Sequence, residues 1–360
     1  MNGYVIPHFG LQRQYELLKD ELLDVTDNVL KSGQFIEGYY TLELEKWLTA
    51  RTGTYALTCH SGTQALELVA LYLLERFSNP KAAVPNITYP ATANGFITTG
   101  YDIELVDTNE FGIINPEKIS TNVDVMVVVG LYGLDPYNYI KHNKLPTKSK
   151  YIVYDGAQHW LSLTKASSYG FATTISFDPT KNLPASGNGG AILTLDIGFL
   201  DFVKNFRSNG RPLFKTVGTN SKMSEIDCAH VLVRSRYIDE WQIKRRKIAK
   251  YWNDKFKNLP IKTMCNLNDA HAIQKYTIYT SDRTALRNTL TVAGIDTRIN
   301  YDRTLNEMMA YKHYSNPSAF STSFMLTKGV LSLPIYPELY DNEVEYIAET
   351  IIKFYQDSSQ

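Results

Sequence analysis

Lys181 lies between the apolar run Ala172–Phe177 and a glycine-rich turn, Gly187-Asn188-Gly189-Gly190. An amine that attacks a carbonyl needs ordered backbone beneath it and little water around it, so that its charge is suppressed. This setting fits that need better than it fits ordinary surface charge. The chemistry it points to is a Schiff-base lysine on an aldehyde cofactor, pyridoxal 5′-phosphate. An isolated lysine is usually a solvated charge, so the reading depends on its companions.

Three further groups stand where an apolar run ends. Ser61-Gly62-Thr63-Gln64 opens a helical pattern after Thr54–Thr58. Small residues there offer free N–H groups and a hydroxyl to a phosphate, though the same residues also make a plain helix cap. Asp155-Gly156-Ala157-Gln158 follows Tyr151–Tyr154. A carboxylate at that point can keep a pyridine nitrogen protonated, and Gln158 can reach the ring or its phenolic oxygen; an aspartate there can equally just start a turn. Tyr89, in Thr88-Tyr89-Pro90-Ala91-Thr92, can stack on a flat ring, yet the chain has 25 tyrosines and most must be packing groups. Ser176, five residues before Lys181, adds a possible phosphate contact.

These groups need a scaffold that brings strand ends together. Leu11, Tyr15, Leu18, Leu22, Val25 and Val29 predict an amphipathic helix stopped at Gly33. Apolar runs at 54–58, 82–85, 103–106, 125–129, 151–154, 172–177 and 191–195 alternate with helical patterns at 66–73 and 91–98. The fold class this predicts is α/β, a mostly parallel central sheet covered by helices on both faces. In such sheets ligands bind beyond the carboxyl ends of the strands.

A single long helix is predicted from Ser224 through Trp252, ending near Asn258-Leu259-Pro260. Strands at 275–280 and 296–300 and a last helix at 342–354 predict a smaller α+β domain. The expected division is 1–240 for the large domain and 241–360 for the small one. Lys244-Arg245-Arg246-Lys247 sits among Glu240 and Asp254 and reads as a solvated helix face.

The formal net charge of +0 argues against a nucleic-acid or anionic-membrane partner. Cys59, Cys228 and Cys265 show neither a disulfide framework nor metal-ligand spacing, which suits a reducing cytoplasm and predicts no metal. Met1-Asn2-Gly3-Tyr4 lacks the start of a signal peptide, and no apolar run is long enough to span a membrane. No Gly-x-Gly-x-x-Gly follows the first strand, which excludes a dinucleotide fold.

The order of these segments resembles the DegT–StrS family of pyridoxal-phosphate sugar aminotransferases, a branch of the aspartate aminotransferase-like fold. Ser32–Gly38 is similar to the family's opening segment, Ser61–Leu66 to its phosphate turn, and Val84–Asn94 to the segment carrying the stacking aromatic, here Tyr89. Asp155 and Gln158 match the ring-nitrogen aspartate and its polar neighbour. Ser176 and Lys181 match the serine and Schiff-base lysine, followed by Gly189-Gly190. Leu333–Pro337 resembles a C-terminal motif. Gly218–Glu225 resembles the family's Asn-x-Arg-Met segment, whose asparagine, here Asn220, reaches the phosphate in the neighbouring subunit.

The resemblance implies a homodimer with shared sites, cofactor contacts from Gly62, Thr63, Gln64, Tyr89, Asp155, Gln158, Ser176, Lys181 and Asn220, and Lys181 as catalytic residue. The activity implied is amino transfer from a donor such as glutamate to a keto-sugar, nucleotide-linked. A dehydratase of the same fold, or a catalytically silent sensor, is the alternative. Gly130 and Asn306 stand at or near places where many members have histidine, Lys222 where arginine is usual, and Tyr154 where an acid is common. His60 and His159 adjoin the site motifs, with a structural role open for each.

Overall fold

The computed structural model describes residues 6–357 apart from 143–148, 163–169, 215, 266, 268–270 and 315–319. Two sheets organise it. The larger takes β1 (Tyr55–Cys59), β2 (Lys81–Pro85), β3 (Asp102–Val106), β4 (Val123–Val129), β5 (Ser149–Asp155), β6 (Ala172–Ser176) and β7 (Gly190–Thr194), in the order β1-β7-β6-β5-β4-β2-β3. All pairings are parallel except those of β7, which runs antiparallel to both neighbours.

Alternation along these strands sends side chains to two faces. Ile192 joins a cluster with α3 (Gly62–Leu74), α4 (Ala91–Ile97) and α6 (Ile197–Phe206). Its neighbours Ala191 and Leu193 join another with α1 (Leu11–Ser32), α2 (Tyr39–Thr52) and α7 (Glu225–Ser235). Met126 and Val128 pack against Ile113, Ile114 and Ile140, the last from α5 (Tyr137–His142). The sheet is therefore covered on both faces, as the apolar runs predict.

The smaller sheet is antiparallel, β8 (Lys262–Thr263), β9 (Tyr276–Tyr279) and β10 (Val330–Leu333), in the order β10-β9-β8. It packs with α8 (Ile238–Phe256), α9 (Arg283–Val292) and α11 (Asp341–Asp357), and α10 (Ser321–Gly329) leads into β10. Ile6 belongs to this second core: its N–H donates to the Gly294 carbonyl at 3.0 Å and its own carbonyl accepts from Asp296 N–H at 3.0 Å.

Four expectations are corrected. The predicted long helix is two, α7 and α8, parted by a tighter turn in which Arg236 and Tyr237 N–H groups donate to Val233 and Arg234. Buried Val231, Arg234, Ile238, Trp241 and Arg245 keep a spacing of three or four across this turn, so apolar spacing cannot register the break. Residues 296–300 form no strand; Arg298 alone bridges to Ser332. On α1, Leu11 and Tyr15 are exposed while Gln14 is buried, its Oε1 accepting from Arg234 Nε at 3.0 Å. Gly33, at φ +68°, does end that helix.

The basic run is only in part a solvated face: Lys244 and Lys247 are exposed. Lys244 is paired with Glu240 at 2.9 Å, but Arg245 is buried, and burial brings its guanidinium down to about 10. No described helix is long and apolar enough to cross a membrane.

Candidate active site

Strands β1, β2, β5 and β6 run the same way, and their carboxyl ends meet around one cavity of about 450 Å³. Ser61 caps α3, its Oγ accepting from the Gln64 N–H at 3.1 Å. That cap leaves the first N–H groups of the helix, at Gly62 and Thr63, directed at the cavity mouth, where the helix dipole favours an anion. Gly62 is required by the close approach of β6: a Cβ there would lie 2.9 Å from Cβ of Ser176.

From the end of β5, Asp155 enters the cavity buried. Its Oδ1 accepts from the Ala157 N–H at 3.1 Å and its Oδ2 from the Thr92 hydroxyl at 2.7 Å. Gln158 accepts from the Tyr132 N–H at 2.8 Å through Oε1, leaving Nε2 toward the Tyr301 hydroxyl at 3.5 Å. Tyr89 is exposed at the cavity rim, its ring centre 6.4 Å from that of Tyr301.

Lys181 sits just beyond β6 on a turn built by Asp178. Oδ1 of Asp178 accepts from the Thr180 N–H at 2.9 Å and its carbonyl from the Lys181 N–H at 2.9 Å. Burial of the amine lowers the pKa of Lys181, with Asp155 and Asp178 opposing the shift. A lysine whose basicity is lowered by burial is the kind of nucleophile that carbonyl chemistry requires.

Seven of the nine residues expected to contact the cofactor thus line one cavity: Gly62, Thr63, Tyr89, Asp155, Gln158, Ser176 and Lys181. Gln64 contributes its backbone to the cap and is not among the lining residues. Asn220 is exposed and lies outside the cavity of its own chain. His60 is exposed, its N–H bound to the Ser221 carbonyl at 2.8 Å.

His159 is buried beneath the site, with Nδ1 accepting from the Gly130 N–H at 3.2 Å, and burial brings it down to about 3. Gly130 has no room for a side chain, since a Cβ would lie 2.1 Å from the Leu134 carbonyl oxygen and 2.5 Å from Cγ of His159. Asn306 is bound to Asn86 at 2.8 Å and 3.1 Å, Lys222 is paired with Glu37 at 3.1 Å, and Tyr154 packs in the core.

Sequence reasoning missed Phe9, Asn300, Tyr301 and Lys275 in the lining. For Lys275 one signal was present: a charge heading the otherwise apolar run Tyr276–Tyr279. No group of three or more potential metal ligands occurs among the described residues.

Pyridoxal phosphate fits these residues. A desolvated amine, a fixed buried carboxylate and a glycine-opened helix terminus are the groups its aldehyde, pyridine nitrogen and phosphate each need.

A family model described as the DegT/DnrJ/EryC1/StrS aminotransferase family matches residues 16–352. The chain is 27% identical to a protein named pleiotropic regulatory protein from Geobacillus stearothermophilus, over 98% of this chain and 99% of that one. It is 29% identical to dTDP-3-amino-3,6-dideoxy-alpha-D-galactopyranose transaminase from Aneurinibacillus thermoaerophilus, over 97% and 99%. Among solved structures, DesV from S. venezuelae in complex with a ketimine intermediate superposes with a TM-score of 0.89 at 26% identity, covering 98% of each chain.

Proposed function

The chain belongs to the DegT/DnrJ/EryC1/StrS aminotransferase family, and from that premise we propose that it moves an amino group from an amino acid, glutamate in the first instance, to a nucleotide-linked keto-sugar. The observation that carries this reading is Lys181: a buried amine at a strand end, facing Asp155 across a cavity that opens on a helix N-terminus. When bound, pyridoxal phosphate supplies an aldehyde that joins reversibly to amines and a ring that accepts the electron pair of a breaking C–H bond.

The residues divide the remaining work. N–H groups of Gly62 and Thr63, with the hydroxyls of Ser61, Thr63 and Ser176, bind and orient the phosphate. Asp155, fixed at both oxygens, keeps a proton on the ring nitrogen. Tyr89 covers the ring and sheds water from it. Nζ of Lys181, lowered in basicity by burial, takes the proton leaving the donor's Cα and later returns it. One amine serves both directions because the same nitrogen lies within reach of both carbons.

A homodimer is part of this proposal, with Asn220 of each subunit reaching the other's phosphate; its exposure outside its own cavity supports that role. The cytoplasm is the proposed location, in keeping with three free cysteines. A regulatory name on a relative favours a second reading, a ligand sensor that keeps the cofactor.

Borohydride reduction of the purified protein followed by peptide mapping tests the first reading. The expected result is a cofactor fixed to Lys181, colour that changes on adding glutamate, and colour restored by a keto-sugar. Fixation at Lys181 without keto-sugar-dependent return indicates the sensor. Fixation elsewhere, or undiminished keto-sugar turnover by Lys181→Ala, overturns the assignment.

A further inference from the structure

Among the described lining residues the cations are Lys181 and Lys275, and the carboxylates are Asp155 and Asp178. Both carboxylates are bonded elsewhere, Asp155 through its two oxygens to Thr92 and Ala157, and Asp178 through Oδ1 to the N–H and hydroxyl of Thr180. Lys275 has a different kind of partner. Its Nζ donates to Oε1 of Gln274 at 2.5 Å, and Nε2 of Gln274 donates to the Thr180 carbonyl at 3.1 Å. Its peptide N–H is anchored on the Tyr132 carbonyl at 3.1 Å. The side chain is buried, held from two directions, and bonded to a neutral carboxamide rather than to an acid.

A buried ammonium with no carboxylate bonded to it is costly, and the usual remedies are loss of the proton or arrival of an anion. Burial, with the charge of Lys181 adding to it and that of Asp178 opposing, pushes the amine of Lys275 well below its ordinary range. An incoming anion reverses that shift and binds strongly for the same reason. Four anionic groups can enter such a site, and one of them, the donor's side-chain carboxylate, lies three bonds from Cα and is not tied to the reacting centre. The cofactor phosphate has the start of α3. The phosphates of a nucleotide-linked acceptor are separated from its reacting carbonyl by the sugar ring. The donor's α-carboxylate is one bond from the carbon whose proton Lys181 must reach, so it has to lie in the same chamber.

We propose that Lys275 is the receptor for the α-carboxylate of the amino-acid donor. The assignment rests on the aminotransferase reading of this cavity and deepens it. It gives the chain a way to recognise donors that needs no arginine: none lines the cavity among the described residues. Gln274 is the positioning residue, tying the ammonium to the peptide that precedes Lys181.

The test compares L-glutamate with isoglutamine, its α-amide, in the donor half-reaction of the holoenzyme, read as loss of the aldehyde colour. Wild type is expected to favour glutamate by about 30-fold or more in kcat/KM, the scale of a lost buried charge contact. In Lys275→Met that preference shrinks to within about threefold, the usual error of additivity. Cofactor content stays as in wild type, the keto-sugar half-reaction changes less than the glutamate one, and Lys275→Arg keeps the preference. Calorimetric binding of 2-methylglutamate, which has no Cα hydrogen to lose, weakens by the same factor in Lys275→Met.

Equal use of glutamate and isoglutamine by wild type overturns the proposal, and it does so even if the methionine variant fails to fold. A preference that survives in Lys275→Met overturns it too. So does a loss confined to the keto-sugar half-reaction, which moves the lysine to an acidic acceptor. Failure of the aminotransferase reading looks different: no cofactor fixes to Lys181 and no amino acid changes the colour.

Discussion

The hydroxyl of Thr92 donates to Oδ2 of Asp155 at 2.7 Å, so a residue on the first turn after β2 fixes the carboxylate at the end of β5. Thr88 extends the chain, its Oγ1 lying 2.8 Å from that of Thr92. With the Ala157 N–H on the other oxygen, the acid has little rotational freedom. Thr92→Val keeps the shape and removes the donor. It should lower kcat/KM by roughly 10- to 100-fold, as loss of an orienting hydrogen bond does at comparable sites. Thr92→Ser should retain most of the activity. Equal rates for all three proteins would remove Thr92 from any positioning role.

Glu225 caps a helix from a distance of more than 180 residues in sequence. Its carboxylate accepts from the N–H groups of Gly38, Tyr40 and Thr41 and from the Thr41 hydroxyl, which bonds at 2.5 Å. Helix α2, whose own cap Gly38 has no side chain to offer, starts on that acid. Glu225→Ala strands several buried donors and should cost about 3 kcal/mol or more of stability. Denaturant melts of Glu225→Ala and Glu225→Gln check this, with the glutamine falling between alanine and wild type.

Gly190 stands opposite Cys59 on one side and Ser176 on the other. A Cβ there would lie 2.4 Å from the carbonyl carbon of Ser61, backbone that cannot yield cheaply. Gly190→Ala should cost about 3 kcal/mol and reduce cofactor retention together, because the displaced group is the cap of α3. Normal cofactor content in a normally stable variant would show that this strand contact does not set the phosphate site.

Acid should weaken the fold through two imidazoles. Burial brings His8 to about 3, with Lys275 and Arg298 also lowering it, and brings His159 to about 3. Their folded values lie below the ordinary 6.5, so the unfolded chain binds more protons across that window. The stability they contribute is whole above pH 6.5 and is lost as pH falls toward 3. At pH 5.5 each should cost about 1.4 kcal/mol. Urea midpoints at pH 7.5 and 5.5 measure this, and His159→Asn, which keeps an acceptor for Gly130, should flatten the slope. Identical slopes would show that the imidazole is not held neutral.

The sheet was legible because its strands are apolar runs punctuated by turns, a pattern that survives without tertiary information. The site was legible for the residues at those punctuation points, from Ser61 to Lys181, since chain order alone puts them at strand ends. Lys275, Tyr301 and Phe9 were not, because they reach the cavity from segments with no ligand signature of their own. Arg245 misled for a related reason. Its spacing within a charged run says surface, and only the packing of α8 between two cores reveals that it is buried. The pause at Arg236 left no trace in the pattern, since the spacing of three or four runs on through it.

The segment from Ile6 to Gly10 carries a mechanical consequence. It pairs with Ile295 beside the smaller sheet, passes Phe9 along the cavity wall, and enters α1 on the larger sheet. Helix α8 makes the reverse passage, and after Ile295 the chain returns to the larger sheet's core at Leu305, Tyr311 and Phe320 before re-entering the smaller one's at Leu331. A single thread would leave one core free to swivel about the other, whereas four crossings bind the cavity wall, Phe9 included, into a common seam.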